Sequence, residues 1–148
     1  AFFGRVNAVA REARADARLG MFLFGHLADS PAMHILASTP GLDDFGLDGR
    51  PWASGDGGSS DTAGAAPSKF LLDQGAAFIR AARAAGRAPL ALIENHALDQ
   101  GDQERMRGGL PAVLAQGYEH LIFYYYPRAC ADADGCMRII ARALAQRV

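Results

Sequence analysis

The sequence predicts a parallel α/β fold, and three observations carry the prediction. Short apolar runs recur four times, each run ends on polar residues, and helical segments stand between them. The clearest runs are Pro89-Leu-Ala-Leu-Ile-Glu-Asn-His96 and His120-Leu-Ile-Phe-Tyr-Tyr-Tyr-Pro-Arg128. In sheets of this class chemistry gathers where strands end and loops begin, so the polar tails of these runs are the places to look for function.

Taken in order, residues 1–19 read as a helix, with Phe2, Val6, Val9, Ala13 and Ala17 at helical spacing and Gly20 as its terminator. Met21-Phe-Leu-Phe24 is a compact strand leading into Gly25-His26. Ser30-Pro31 supplies an N-cap and a first-turn proline for a short helix to about Ala37, broken by Thr39-Pro40-Gly41. Leu42-Asp-Asp-Phe-Gly46 reads as a short strand, and Leu47-Asp-Gly-Arg-Pro-Trp52 as the loop leaving it. Residues 53–67, rich in Gly, Ser, Ala and Asp without periodicity, are expected to be a flexible loop. Within it Gly55-Asp-Gly-Gly58 lacks the Lys-Ser/Thr of a phosphate loop.

A long helix is predicted over 68–85, with Leu71, Gln74, Phe78, Ala81, Ala82 and Ala85 on one side and Gly86 as its stop. The strand Leu90–Ile93 follows. The next helix starts near Asp102, and Gly108, Gly109 and Pro111 are expected to split or kink it. Strand Leu121–Tyr126 is stopped by Pro127, and a final helix over 135–147 is expected to bury Met137, Ile140 and Leu144. Four strands with their helices amount to half of an eight-stranded (β/α)8 barrel. The alternative is a small doubly wound open sheet, whose flavodoxin-like form has one more strand. The helix-first order favours the carboxyl-terminal half of a barrel, a single α/β domain expected to belong to a larger protein.

The totals exclude several classes. At 148 residues the chain makes one domain with a real core, half of it hydrophobic. A formal net charge of -1 gives no electrostatic case for nucleic acid or an anionic membrane. Lys69 is the only lysine, and arginine beside abundant alanine reflects a GC-rich genome rather than a binding adaptation. No apolar run approaches the ~20 residues of a bilayer span, and no signal peptide is visible, so the compartment stays open. Cys130 and Cys136 flank a short turn and read as free or facultatively paired thiols.

Strand parity selects the candidate site. Leu90, Leu92, Glu94 and His96 share one face, so Glu94 and His96 project together at the end of their strand. A carboxylate closing an apolar strand is costly to desolvate, and such a setting raises its pKa, as a general acid requires. An ion pair with Arg128 is the structural alternative. Asp44 shares parity with Leu42 and is the chosen second carboxylate, with Asp48 as fallback. Two carboxylates on neighbouring strand ends suit glycoside hydrolysis, with Glu94 as acid and Asp44 as nucleophile or base. Trp52, His96, Tyr126, Asp48 and His26 are the candidate substrate contacts, although aromatics within strands are more often core. A set of His26, Glu94 and His96 is metal-competent in type but lacks close ligand spacing, so neither metal nor cofactor is assigned.

From Leu42 to Arg128 the chain resembles the carboxyl-terminal part of (β/α)8-barrel proteins of the glycoside-hydrolase type, bacterial members included. The residues that carry this are Leu42-Asp-Asp-Phe-Gly-Leu-Asp-Gly-Arg-Pro-Trp52, the Pro89–His96 strand, and Gly117-Tyr-Glu-His-Leu-Ile-Phe-Tyr-Tyr-Tyr126. The resemblance implies catalytic carboxylates at strand ends, here Glu94 and an Asp of the 43–48 segment. It implies a carbohydrate or similar small polar substrate. The family's amino-terminal strands, which supply at least one catalytic carboxylate, have no counterpart in this chain. A half barrel standing alone is expected to pair as a homodimer; the other reading is a non-catalytic α/β binding or interaction module.

Overall fold

The computed structural model describes residues 2–24, 27–49, 52, 67–124 and 129–147, and helices alternate with strands across them. Helix α1 spans Phe2–Ala13, strand β1 Gly20–Phe24, α2 Pro31–Ala37, β2 Asp44–Gly49 and α3 Pro67–Ala84. Strand β3 follows at Ala88–Glu94, then α4 at Gln100–Leu114, β4 at His120–Tyr124 and α5 at Ala133–Ala145. The four strands form one all-parallel sheet in the order β1-β2-β3-β4. That is the order of consecutive βα units. A doubly wound sheet needs a point where strand order reverses, and the described strands contain none.

Local chemistry accounts for the helix starts. The Ser30 hydroxyl accepts from the Met33 N–H, with Pro31 at the first position of α2. Asp99 and Asp102 cap α4 reciprocally, each side chain taking the other's backbone N–H. Asp132 caps α5 by accepting from the Gly135 N–H.

Phe45, Leu47, Ala91 and Ile93 lie on the helix-facing side of the sheet and are wholly buried. Phe78 of α3 stacks on Phe45 with ring centroids 5.9 Å apart. Helices α2 to α5 pack neighbour against neighbour on this side. The opposite side carries Phe22, Asp44, Gly46, Asp48, Leu90, Leu92, Glu94, His120, Ile122 and Tyr124, and it is concave. A Cβ placed on Gly20 of β1 would lie 3.3 Å from the Leu90 methyl of β3, two strands away. Leu90 and Leu92 are buried at the centre of the hollow, while Phe22, Ile122 and Tyr124 on its rim are each about two-fifths exposed. Strands β2 and β3 approach so closely that a Cβ on Gly46 would sit 1.6 Å from the Leu90 carbonyl oxygen.

Several boundaries differ from the sequence expectation. Helix α1 ends at Ala13 rather than near Leu19, and its apolar side faces outward: Phe2, Phe3, Val6 and Val9 are exposed. Its anchors are polar, Asn7 Nδ2 donating to the Pro40 carbonyl and Arg11 pairing with Asp43. Helix α4 runs unbroken through Gly108, Gly109 and Pro111, because buried Met106, Leu110, Val113 and Leu114 hold it from both sides of the proline. Helix α5 buries Cys136, Ile139, Ile140 and Ala143, so Met137 and Leu144 turn to solvent. Of the flexible-loop segment only Pro67, the first residue of α3, falls among the described residues. No described helix is long and apolar enough to cross a membrane.

Candidate functional site

Strand β2 starts at Asp44 instead of ending near it, which corrects the placement of the second carboxylate. The sequence pattern placed this strand at 42–46, two residues before its actual start; hydrogen bonds from the preceding segment fix where it begins. Asp43 Oδ2 accepts from the Leu19 N–H at 2.8 Å and from Arg11 at 2.6 Å. Asp44 takes a two-pronged bond from Arg18, both at 2.8 Å, and its Oδ1 lies 2.6 Å from His120 Nδ1. The Leu19 N–H, with Arg11 behind it, holds the Asp43 carboxyl below its ordinary range against the opposing effect of burial. Burial pushes Asp44 up, but Arg18 and His120 outweigh it and the net direction is down. Asp44 is therefore a paired group at the amino end of the sheet, remote from the strand tails.

At the carboxyl end the sheet brings a different set together. Asp48 stands in register with Leu92, two residues before Glu94, on the same concave side. Their Cα atoms are thus diagonal neighbours, roughly 7–8 Å apart. Asp48 is 8% exposed. Glu94 and His96 keep about a fifth and a quarter of their side chains in solvent, with Nδ1 of His96 3.7 Å from Oε2 of Glu94. Ala97, the next residue, has a left-handed φ of 51°, a conformation costly for a residue with a Cβ.

Beneath this set runs a buried network. Trp52 is wholly buried, its indole N–H donating to Asn95 Oδ1 at 3.1 Å, so it is a strut and not an exposed platform for a sugar ring. Arg105 of α4 donates through Nε to the Trp52 carbonyl at 3.0 Å and pairs with Asp102. Asn95 faces the helix side, opposite Glu94, and its carbonyl accepts from the Cys130 thiol at 3.3 Å. Asn95 is 1% exposed, and its amide nitrogen has no hydrogen-bond partner among the described residues. Neither Asn95 nor Arg105 was singled out from the sequence. A polar residue at the helix-facing parity of an apolar strand was the available signal for Asn95.

Of the expected site residues, the structure brings Glu94, His96 and Asp48 to one strand-end cluster, places Asp44 at the other end and buries Trp52. His26, Tyr126 and Arg128 lie outside the described residues. Among the described residues no group of three or more His, Cys, Asp or Glu side chains is arranged to hold a metal ion. In comparisons with known proteins, no protein-family model, curated protein or solved structure matches this chain.

Proposed function

We propose that the sheet is the carboxyl-terminal half of a (β/α)8 barrel, and that its strand-end carboxylates hydrolyse a glycoside or similar polar substrate. The observation behind this reading is that Asp48 and Glu94, from adjacent parallel strands, share the concave side at its carboxyl end. Glu94, at the solvent edge beside His96, protonates the departing oxygen. Asp48, deeper in the hollow, attacks the anomeric carbon or takes a proton from the attacking water. Asp48 replaces Asp44 in this role because only Asp48 stands near Glu94. The buried Trp52–Asn95–Arg105 network holds the β3 tail so that the two carboxylates keep their spacing. The test is turnover by the full protein on a panel of nitrophenyl glycosides. Hydrolysis that Glu94→Gln and Asp48→Asn each abolish, with the thermal midpoint unchanged, is the expected result. No hydrolysis across the panel, or turnover retained by Glu94→Gln, overturns the assignment.

The exposed rim of Phe22, Ile122 and Tyr124 favours a second reading, a non-catalytic interaction module whose hollow is closed by a second copy. Strands β1 and β4 are the two edges of the sheet, and β1 of one copy can continue β4 of another in the same parallel sense. Light scattering decides it: a stable dimer with no hydrolytic activity supports this reading, and a monomer at tens of micromolar removes it.

A further inference from the structure

Asp48, Glu94 and Tyr124 stand on β2, β3 and β4, three consecutive strands, and all three share the concave side. Tyr124 is the register partner of Glu94, about 5 Å from it at Cα, while Asp48 lies on the other flank of β3, level with Leu92. On the hydrolytic reading above, on which this inference rests, the scissile bond lies between the two carboxylates. Asp48 or its water approaches the anomeric carbon from one side, and Glu94 stands beside the leaving oxygen on the other. The sugar therefore lies toward β2, and the departing group extends past Glu94 over β4. We infer that Ile122 and Tyr124 form the leaving-group subsite and select glycosides whose aglycone is an apolar ring.

The concave residues of β4 are His120 at the amino mouth, then Ile122 level with Leu92, then Tyr124 level with Glu94. Ile122 and Tyr124 are 42% and 41% exposed beside buried Leu92, so apolar surface reaches water directly next to the proposed acid. Tyr124 is held there by its backbone, its carbonyl accepting from the Asn95 N–H at 2.5 Å. The network that fixes the β3 tail thus fixes Tyr124 against Glu94 as well. An apolar ring laid over these two side chains leaves water and gains a ring-to-ring contact with Tyr124. A hydroxyl-rich leaving group gains less, because Ile122 returns none of the hydrogen bonds it gives up. In the reaction Glu94 gives its proton to the aglycone oxygen as the anomeric C–O bond breaks. Water supplies the oxygen that replaces it on the anomeric carbon, and the proton that water loses restores Glu94. One water is consumed, and sugar and aglycone each depart with a free hydroxyl.

The experiment compares kcat/KM of the full protein on the benzyl and 2-methoxyethyl glycosides of the sugar it hydrolyses best. The two leaving alcohols are similar in acidity and differ in the apolar ring, so their ratio reads the subsite and not the chemistry of bond breaking. The expected ratio is about tenfold in favour of benzyl, the worth of one ring contact with its burial. Tyr124→Ala is expected to bring the ratio close to one, and Tyr124→Phe to keep it. Ile122→Thr, a β-branched replacement that suits a strand, is expected to narrow it and serves if Tyr124→Ala does not fold. A residue that merely supports the strand lowers both rates and leaves the ratio alone. Hydrolysis with a native ratio near one, or a ratio that survives Tyr124→Ala, overturns the subsite while the hydrolytic reading stands. Failure to cleave any glycoside overturns both, and a stable dimer found with it returns the rim to the interaction-module reading.

Discussion

At the amino end of the sheet, Asp43, Asp44, Arg11, Arg18 and His120 satisfy one another at 2.6–2.8 Å, and Arg87 donates to the carbonyls of Ala37, Thr39 and Leu42. At the carboxyl end, Glu94 and His96 stand 3.7 Å apart and partly in water, Asp48 is buried beside them, and Ala97 carries left-handed backbone. Acidic side chains and a histidine are present at both ends, but the arginines named stand at the amino end. The geometry differs with them: short bonds, the Arg18–Asp44 pair two-pronged, fasten loops to strands at one end, and looser polar contacts line a solvent-reaching hollow at the other. The difference teaches that an acidic residue beside an apolar strand is informative only once its end of the strand is known. Near the amino end it fastens loops to strands, and near the carboxyl end it stands at the solvent-reaching edge where the proposed chemistry is placed.

This contrast breaks most sharply on Glu94→Gln. A loss of about 10²–10⁴ in kcat is expected, the usual worth of a positioned general acid, with the urea midpoint unmoved. The reverse pattern, normal turnover with a fallen midpoint, would make the two ends equivalent. Arg87→Ala comes next. It strands three loop carbonyls, so equilibrium unfolding should show a loss of about 2–3 kcal/mol while any hydrolysis persists. Asp44→Asn keeps the shape and loses the ion pair, with an expected cost of about 1–2 kcal/mol.

The acid limb of stability sharpens the same point. Asp43 and Asp44 both have folded pKa values below their unfolded ones. Their contribution is complete above the unfolded value of about 4 and disappears as pH falls through the lower folded values. Urea midpoints measured from pH 6 to pH 2 should therefore drop below about pH 4, and the Asp43→Asn, Asp44→Asn double variant should flatten that drop. The smallest effect belongs to Ala97→Gly, which relieves the positive φ and should gain less than about 1 kcal/mol in thermal unfolding. If turnover falls at the same time, the strained residue helps to aim His96.

Much of the fold was legible because its signals are local. Ser30-Pro31 announced α2, the apolar runs announced β1, β3 and β4, and parity put Glu94 on the same face as Leu90 and Leu92. The start of β2 was not legible. Its apolar pattern is interrupted by Gly46 and Asp48, and its position depends on Arg11 and Arg18, contacts 26 to 32 residues apart in the chain. The long-range partners of Trp52 were hidden for the same reason. An aromatic in a loop reads alike whether it faces water or lies under an arginine and an asparagine. The continuity of α4 through Pro111 is a tertiary effect, set by the buried residues on either side of the proline.

Gly46 has a consequence for recognising relatives. With 1.6 Å between its missing Cβ and the Leu90 oxygen, no other amino acid fits without parting β2 from β3. A saturation library at this codon should return only glycine among folded clones. The position thus works as a one-letter fingerprint: a distant sequence that keeps a glycine two residues before an acidic residue in its second strand can share this pairing, and one that lacks it has built a different sheet.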